Sequence, residues 1–244
     1  MQNAALRAVG LTSWRYQLLP VPPELFAVTV PALKGAGFRG ANVTIPHKQA
    51  ALALAQERDE AARAIGAANT LLFENGRIRA ENTDAPALLD ALPLDPRGRD
   101  ALVLGAGGTA RAAVWALLRA GAAEVRVLNR TPERARALCA QLGGTPVSRP
   151  GPAAILVNCT PAGMAGATLG VKSVLAVADE IAMFACVVDF AYGRADTPLI
   201  EAARRAGLPA VSGLDLLVGQ GALSFERFTG LPAPVPAMRE AVRA

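Results

Sequence analysis

The chemistry of this chain must come from a few short polar stretches set among apolar ones. In NVTIPHK (residues 42–48) an extended run is stopped by Pro46, and Lys48 follows two residues later, where a helix is due to begin. GAANTL (66–71) and ENTDAP (81–86) each set Asn-Thr at a strand edge, and the second adds Asp84. A lysine, a carboxylate and several amide and hydroxyl groups in one place would make a polyol pocket containing a residue able to move a proton. The plainer reading of Lys48, a surface lysine on a helix's first turn, stays open at this point.

GAGGTAR (105–111) offers a second chemistry. It follows an apolar run and opens an amphipathic one, so Gly105 can make the tight turn, Gly107 can let a pyrophosphate approach, and Ala110 can let the helix cross close to the strand. With Ala106, Gly108 and Thr109 these residues form a loop suited to a dinucleotide. The next strand ends Leu128-Asn129-Arg130-Thr131, without the carboxylate that usually takes the ribose hydroxyls of NAD. Arg130 and, one helical turn on, Arg134 suit a 2′-phosphate, and Thr131 is expected to cap the helix and offer a hydroxyl, which favours NADP. The alternative is a pair of solvated arginines at a helix start.

The elements that must position these groups follow from periodicity. Between residues 97 and 213 short β-branched runs alternate with longer amphipathic ones, the pattern of parallel strands joined by helices. Strands are predicted over 101–106, 124–129, 154–159 and 185–190, and helices over 109–120, 132–142 and 197–206, stopped by Gly121, Gly143 and Gly207. The N-terminal part reads as helix 3–9, strand 15–20, helix 22–33, strand 40–45, helix 47–55, and strands 70–74 and 77–81 joined by a tight Asn75-Gly76 turn. A C-terminal helix over 214–228 is expected to pack back on that part. The fold class is α/β in two domains: a small α/β substrate domain over 1–84 plus 214–244, and a Rossmann-type parallel-sheet domain over 85–213, with a cleft between them.

Composition narrows the function. The chain has 244 residues, 52% of them hydrophobic, and a net charge of +5 spread along helices rather than gathered in a basic block with aromatics. That excludes disorder and argues against nucleic acid. The longest uncharged stretch, 150–171, is broken by prolines and glycines and does not read as a membrane span. Cys139, Cys159 and Cys186 stand apart from one another and from the only histidine, His47, so neither a disulfide framework nor a metal site is expected. Without a secretory pattern at the N-terminus, the cytoplasm is the expected compartment.

NVTIPHK, AANTL, NTD, GAGGTARA, NRT, NCTPAGM, DFAYGRADTPL and GLDLLVGQGALSFERFTG occur in the order and at the spacing of the shikimate dehydrogenase family, which the chain resembles from about residue 3 onward. The resemblance implies an NADP-dependent oxidoreductase interconverting 3-dehydroshikimate and shikimate in aromatic amino-acid biosynthesis. It implies Lys48 as acid/base, Asp84 as its partner and a substrate ligand, and Thr44, Asn69 and Gln220 as ligands of the ring hydroxyls. Tyr192 would lie near the substrate carboxylate, Gly213 and Leu216 at the nicotinamide, and Thr160 with Ala162 along the dinucleotide. A monomer or a homodimer agrees equally with it.

The chain also departs from the family. Members open with a strand and a loop of the form GxPxxHSxSPxxHN, whose two serines bind the substrate carboxylate, whereas residues 1–5 match only the end of that loop. The expectation is that Met1 is an internal methionine of a longer protein; a short form binding through other groups, or a remnant without catalysis, are the alternatives. Loss of that strand should unpair its two neighbours in the N-terminal sheet. Arg194, Leu216 and Ala80 stand where proline, methionine and glycine are usual. A paralogue acting on quinate and a silent NADP-binding module are the competing functions.

Overall fold

The computed structural model describes residues 1–162, 177–193 and 195–243; Arg194 and the Gly163-Met164 end of NCTPAGM lie outside these. The chain divides into two compact units, residues 1–84 with 218–244, and residues 85–217. The helix Gly213–Thr229 contributes to both.

The second unit is built on a six-stranded parallel sheet of β5 (Asp100–Leu104), β6 (Glu124–Leu128), β7 (Thr145–Val147), β8 (Ile155–Asn158), β9 (Cys186–Asp189) and β10 (Ala210–Val211). Its order is β10-β9-β8-β5-β6-β7, so the direction of winding reverses between β5 and β8. Helix α5 (Asp84–Ala91) precedes β5, and helices α6 (Gly108–Arg119) and α7 (Pro132–Leu142) follow β5 and β6. Residues 155–158 and 186–189 are buried throughout, as uninterrupted apolar runs require in a sheet covered on both faces. Each predicted strand is present but ends one or two residues early, because the chain turns away at its C-terminal end; Gly105 does so with φ +108°. Gly121, Gly143 and Gly207 all take positive φ after their helices. The edge strands β7 and β10 were not anticipated, since two or three residues, one of them Pro146, carry no period.

The first unit holds a four-stranded sheet in the order β1-β3-β4-β2, from β1 (Gly40–Asn42), β2 (Glu57–Arg58), β3 (Thr70–Glu74) and β4 (Arg77–Glu81). The β3–β4 hairpin turns at Asn75 and Gly76, both at positive φ, as the Asn-Gly pair predicts. Helices α2 (Phe26–Gly35), α3 (Lys48–Leu54) and α4 (Glu60–Ile65) lie between the N-terminal segment and the hairpin, the last capped by Asp59, which accepts from the Ala62 N–H at 2.6 Å. Phe26, Val30, Val43, Ala51, Leu71 and Ile78 fill the space between. Helix α1 (Gln2–Ala8) packs through Ala5 and Leu6 against Val218, Ala222 and Phe225 of the C-terminal helix, which therefore does fold back on this unit.

Three expectations fail here. No strand forms over 15–20: among the described residues the segment enters no ladder, and Leu18 is 88% exposed. Pro20, Pro22 and Pro23 bring no N–H donors, and the segment is tied instead through Tyr16, whose N–H donates to Asn3 Oδ1 at 2.8 Å. The strand expected over 40–45 ends at Asn42, because Thr44 to His47 close a turn, His47 N–H to Thr44 C=O at 2.9 Å. The helix expected from residue 22 starts as a 3₁₀ turn at Pro23–Leu25. Between residues 13–16 and 36–40 lies a groove of about 440 Å³, lined also by Leu6, Phe225 and Phe228. Gln2 borders it, 6% exposed, and its Oε1 is a buried oxygen with no hydrogen-bond partner among the described residues.

Candidate active site

The first-unit site grows from strand pairing. Thr70 and Glu81 face each other in the β3–β4 ladder, so the residues just outside it, Asn69 on one side and Asn82, Thr83 and Asp84 on the other, emerge together. Lys48 joins them because the backbone N–H of Ala68 donates to the Lys48 carbonyl at 2.9 Å, which ties the start of α3 to the start of β3. The turn before it is held by His47, stacked on Phe26 with ring centroids 4.4 Å apart. Its Nε2 lies 2.8 Å from the Val21 carbonyl, an acceptor only, so Nε2 carries the proton and the histidine serves the turn.

Lys48 Nζ donates to Asp84 Oδ2 at 2.6 Å, and the two side chains are only 10% and 5% exposed. Asn69 Nδ2 donates to Asp84 Oδ1 at 2.8 Å and lies 3.4 Å from Gln220 Oε1. The orientation of the Asn69 amide is dictated by the backbone: its Oδ1 accepts the Thr83 N–H at 2.8 Å, so its NH₂ must face the carboxylate. A buried ion pair of this kind is weak support for stability, since desolvation offsets most of the attraction, but it holds an ammonium in one place. The arrangement is a fixed proton donor with its counter-ion, beside an amide from each of two elements.

Lys48, Asp84, Asn69 and Gln220 are thus brought together. Thr44 is exposed on the turn before α3, where its backbone carbonyl accepts the His47 N–H. Sequence reasoning missed the layer beneath. The hydroxyls of Thr70, Thr83 and Ser224 lie 2.9 to 3.4 Å from one another, and Asn42 Nδ2 donates to Ser224 Oγ at 2.8 Å. Thr70 and Thr83 belong to AANTL and NTD; Ser224, 154 residues from Thr70, gave no local signal.

In the second unit Gly105 turns the chain out of β5, and its N–H donates to the Leu128 carbonyl at 2.8 Å. Gly107 precedes α6 in extended conformation, and a Cβ placed on it would meet nothing within 4 Å. Gly108, Thr109 and Ala110 open this 12-residue helix, and the first amides of a helix are where a phosphate is commonly taken. Ala106 is half-buried beside them, and Ala110 is fully buried, as the close crossing of helix and strand demands. Arg130 and Arg134 are exposed beyond β6, and Asn129 Nδ2 donates to the Thr131 carbonyl at 2.8 Å, holding the turn between them. The residues present fit a dinucleotide carrying a 2′-phosphate. Thr131 departs from its expected role: it occupies the N-cap without a capping bond, because the Arg134 N–H is already taken by the Thr131 carbonyl and Pro132 has none.

Thr160 and Ala162 follow β8, Thr160 half-buried and Ala162 1% exposed, while Tyr192 is 39% exposed after β9. Gly213 sits against Ala191, whose carbonyl oxygen would be 2.4 Å from an added Cβ, and Leu216 is 1% exposed. Asp189, which no residue-level reading singled out, is fully buried at the end of β9; burial pushes its carboxyl up to about 6, partly offset by hydrogen bonds from Thr197, Ala191 and Asn158. Burial likewise pushes the Cys186 thiol up to about 11, which removes it as a nucleophile. Among the described residues, no helix is long and apolar enough to cross a membrane.

Residues 1–71 match the shikimate dehydrogenase substrate binding domain, residues 91–150 the shikimate / quinate 5-dehydrogenase model, and residues 213–243 the shikimate 5′-dehydrogenase C-terminal domain. A shikimate dehydrogenase (NADP(+)) of Methanopyrus kandleri is 40% identical over 99% of this chain and 89% of its own length. Among solved structures, shikimate dehydrogenase of Aquifex aeolicus superposes with a TM-score of 0.87 at 30% identity, covering 100% of this chain and 91% of the other. A shikimate 5-dehydrogenase of Thermus thermophilus, in complex with NADP(H) and shikimate, gives 0.82 at 36% identity over 99% and 93%.

Proposed function

The chain belongs to the shikimate dehydrogenase family and is an NADP-dependent oxidoreductase acting on a CH–OH group, and from that premise we propose that Lys48 and Asp84 carry its proton transfer. The reaction is the reversible reduction of 3-dehydroshikimate to shikimate. The observation that carries the residue assignment is the buried 2.6 Å contact between Lys48 Nζ and Asp84 Oδ2, with Asn69 and Gln220 beside it.

In the reducing direction the Lys48 ammonium gives its proton to the carbonyl oxygen as that oxygen becomes a hydroxyl, and in the other direction the amine takes it back. Asp84 holds the ammonium in line and accepts from a ring hydroxyl; Asn69, Gln220 and Thr44 fix the others. Bound NADPH supplies the hydride. Residues 105–110 would hold its pyrophosphate; Arg130, Arg134, Asn129 and Thr131 its adenosine 2′-phosphate; and Thr160, Ala162, Gly213 and Leu216 the remainder. Tyr192 is assigned to the substrate carboxylate. On this reading residues 1–84 with 214–244 serve the substrate and 85–213 the cofactor. Three free, buried cysteines favour a reducing compartment, and the reading takes the cytoplasm, with a monomer or a homodimer as the working form.

Lys48→Ala is expected to lower kcat by about two to four orders of magnitude while the KM for shikimate changes little. Steady-state rates of shikimate-dependent NADP reduction decide it: similar turnover in mutant and parent would refute the acid/base role.

A further inference from the structure

Several groups assigned to the cofactor sit on separate loops of the second unit, and one buried carboxylate joins them. Asp189 Oδ1 accepts from Asn158 Nδ2 at 2.8 Å and from the Ala191 N–H at 2.9 Å, and Oδ2 accepts from Thr197 Oγ1 at 2.5 Å. Asn158, also fully buried, uses its Oδ1 to accept from both the N–H and the hydroxyl of Thr160, at 3.0 and 2.7 Å. Because that oxygen already faces a backbone donor, the amide nitrogen must point at an acceptor-only group, and Asp189 is that group. Thr160 in turn packs at the phosphate turn: a Cβ on Gly105 would lie 3.2 Å from Thr160 Cγ2. The second arm, through the Ala191 N–H, fixes the backbone against which Gly213 rests.

We propose that Asp189 is a positioning residue for NADP, fixing the Asn158 amide and, through it, the Thr160 loop beside Gly105. The proposal rests on the reading that Thr160 and Ala162 line the dinucleotide. Asp189 touches no reacting atom on this view, so it governs cofactor affinity and leaves the proton transfer at Lys48 alone.

The test compares Asp189→Ala, Asp189→Asn, Thr197→Val and Thr160→Val in the full chain, measuring the Kd for NADP by titration calorimetry, both KM values, and Tm. Asp189→Ala is expected to weaken NADP about tenfold, in Kd and in KM, with the KM for shikimate within about twofold of the parent. Asp189→Asn keeps an oxygen toward Asn158 and Ala191 and should recover NADP binding to within about threefold of the parent. Thr197→Val cuts only the arm that does not lead to Thr160, and should lower Tm without moving the NADP constants. If Asp189→Ala does not fold, Asn158→Ala severs the same link and should show the same selective loss. Equal Tm losses in Asp189→Ala and Thr197→Val with NADP affinity intact in both overturn the proposal. A loss in Thr160→Val with none in Asp189→Ala overturns it while leaving the cofactor reading standing; unchanged NADP affinity in both overturns the two together.

Discussion

Single residues in this protein are fixed by what their partners are able to do. Asn69 has one amide orientation because a backbone N–H cannot accept, and Asp84 is left with the donors that Asn69 and Lys48 supply. Asp189 shows the same logic with a measurable pH signature. Its carboxyl is pushed from an ordinary 3.8 up to about 6, first by burial, so the unfolded chain releases the proton at lower pH than the folded one does. Between those values the folded state binds more protons. The contribution of this group to stability therefore falls as pH rises through that window and stays low above it, a cost on the order of 3 kcal/mol. Asp189→Asn carries no such charge. Its stability relative to the parent should rise by about 2 to 3 kcal/mol between pH 4 and pH 7, read from urea melts at several pH values. A flat difference would mean that Asp189 titrates normally in the fold. Asp189 and Thr197 both stand in DFAYGRADTPL, yet nothing local in that string tells a buried hub from a strand end followed by a helix cap.

At the scale of elements, the parallel strands were legible because a strand buried on both faces leaves an uninterrupted apolar run, and the β3–β4 hairpin because Asn75-Gly76 names its own turn. What escaped were pieces too short to carry a period, such as β2 with two exposed residues, and hydroxyl contacts like that of Ser224 with Thr70, set by packing across the chain. On the proposed reading the turn after β6 sets cofactor choice, since Arg130 is exposed there with Arg134 one turn away and β6 runs into Asn129 rather than a carboxylate. Arg130→Asp should raise the KM for NADP at least about tenfold and improve use of NAD, measured as the ratio of kcat/KM for the two cofactors. An unchanged ratio would place 2′-phosphate recognition elsewhere.

For the whole molecule, the order of motifs from NVTIPHK to GLDLLVGQG identified the family, because several short motifs in one fixed order are far more specific than any one of them. The groove of about 440 Å³ with aromatic walls, between residues 13–16 and 36–40, was not legible in any local pattern, because the residues that line it come from separate segments. This groove has a consequence at the bench. An apolar fluorophore such as anilinonaphthalene sulfonate, normally dark with native proteins, should light up with this one in its folded state, because Trp14, Phe225 and Phe228 offer it a lined recess with Arg15 and Arg39 for its sulfonate. Dye-based melts would then start from a high baseline and understate Tm. Circular dichroism would report the true transition, and a dark native state with the dye would show that the recess is closed in solution.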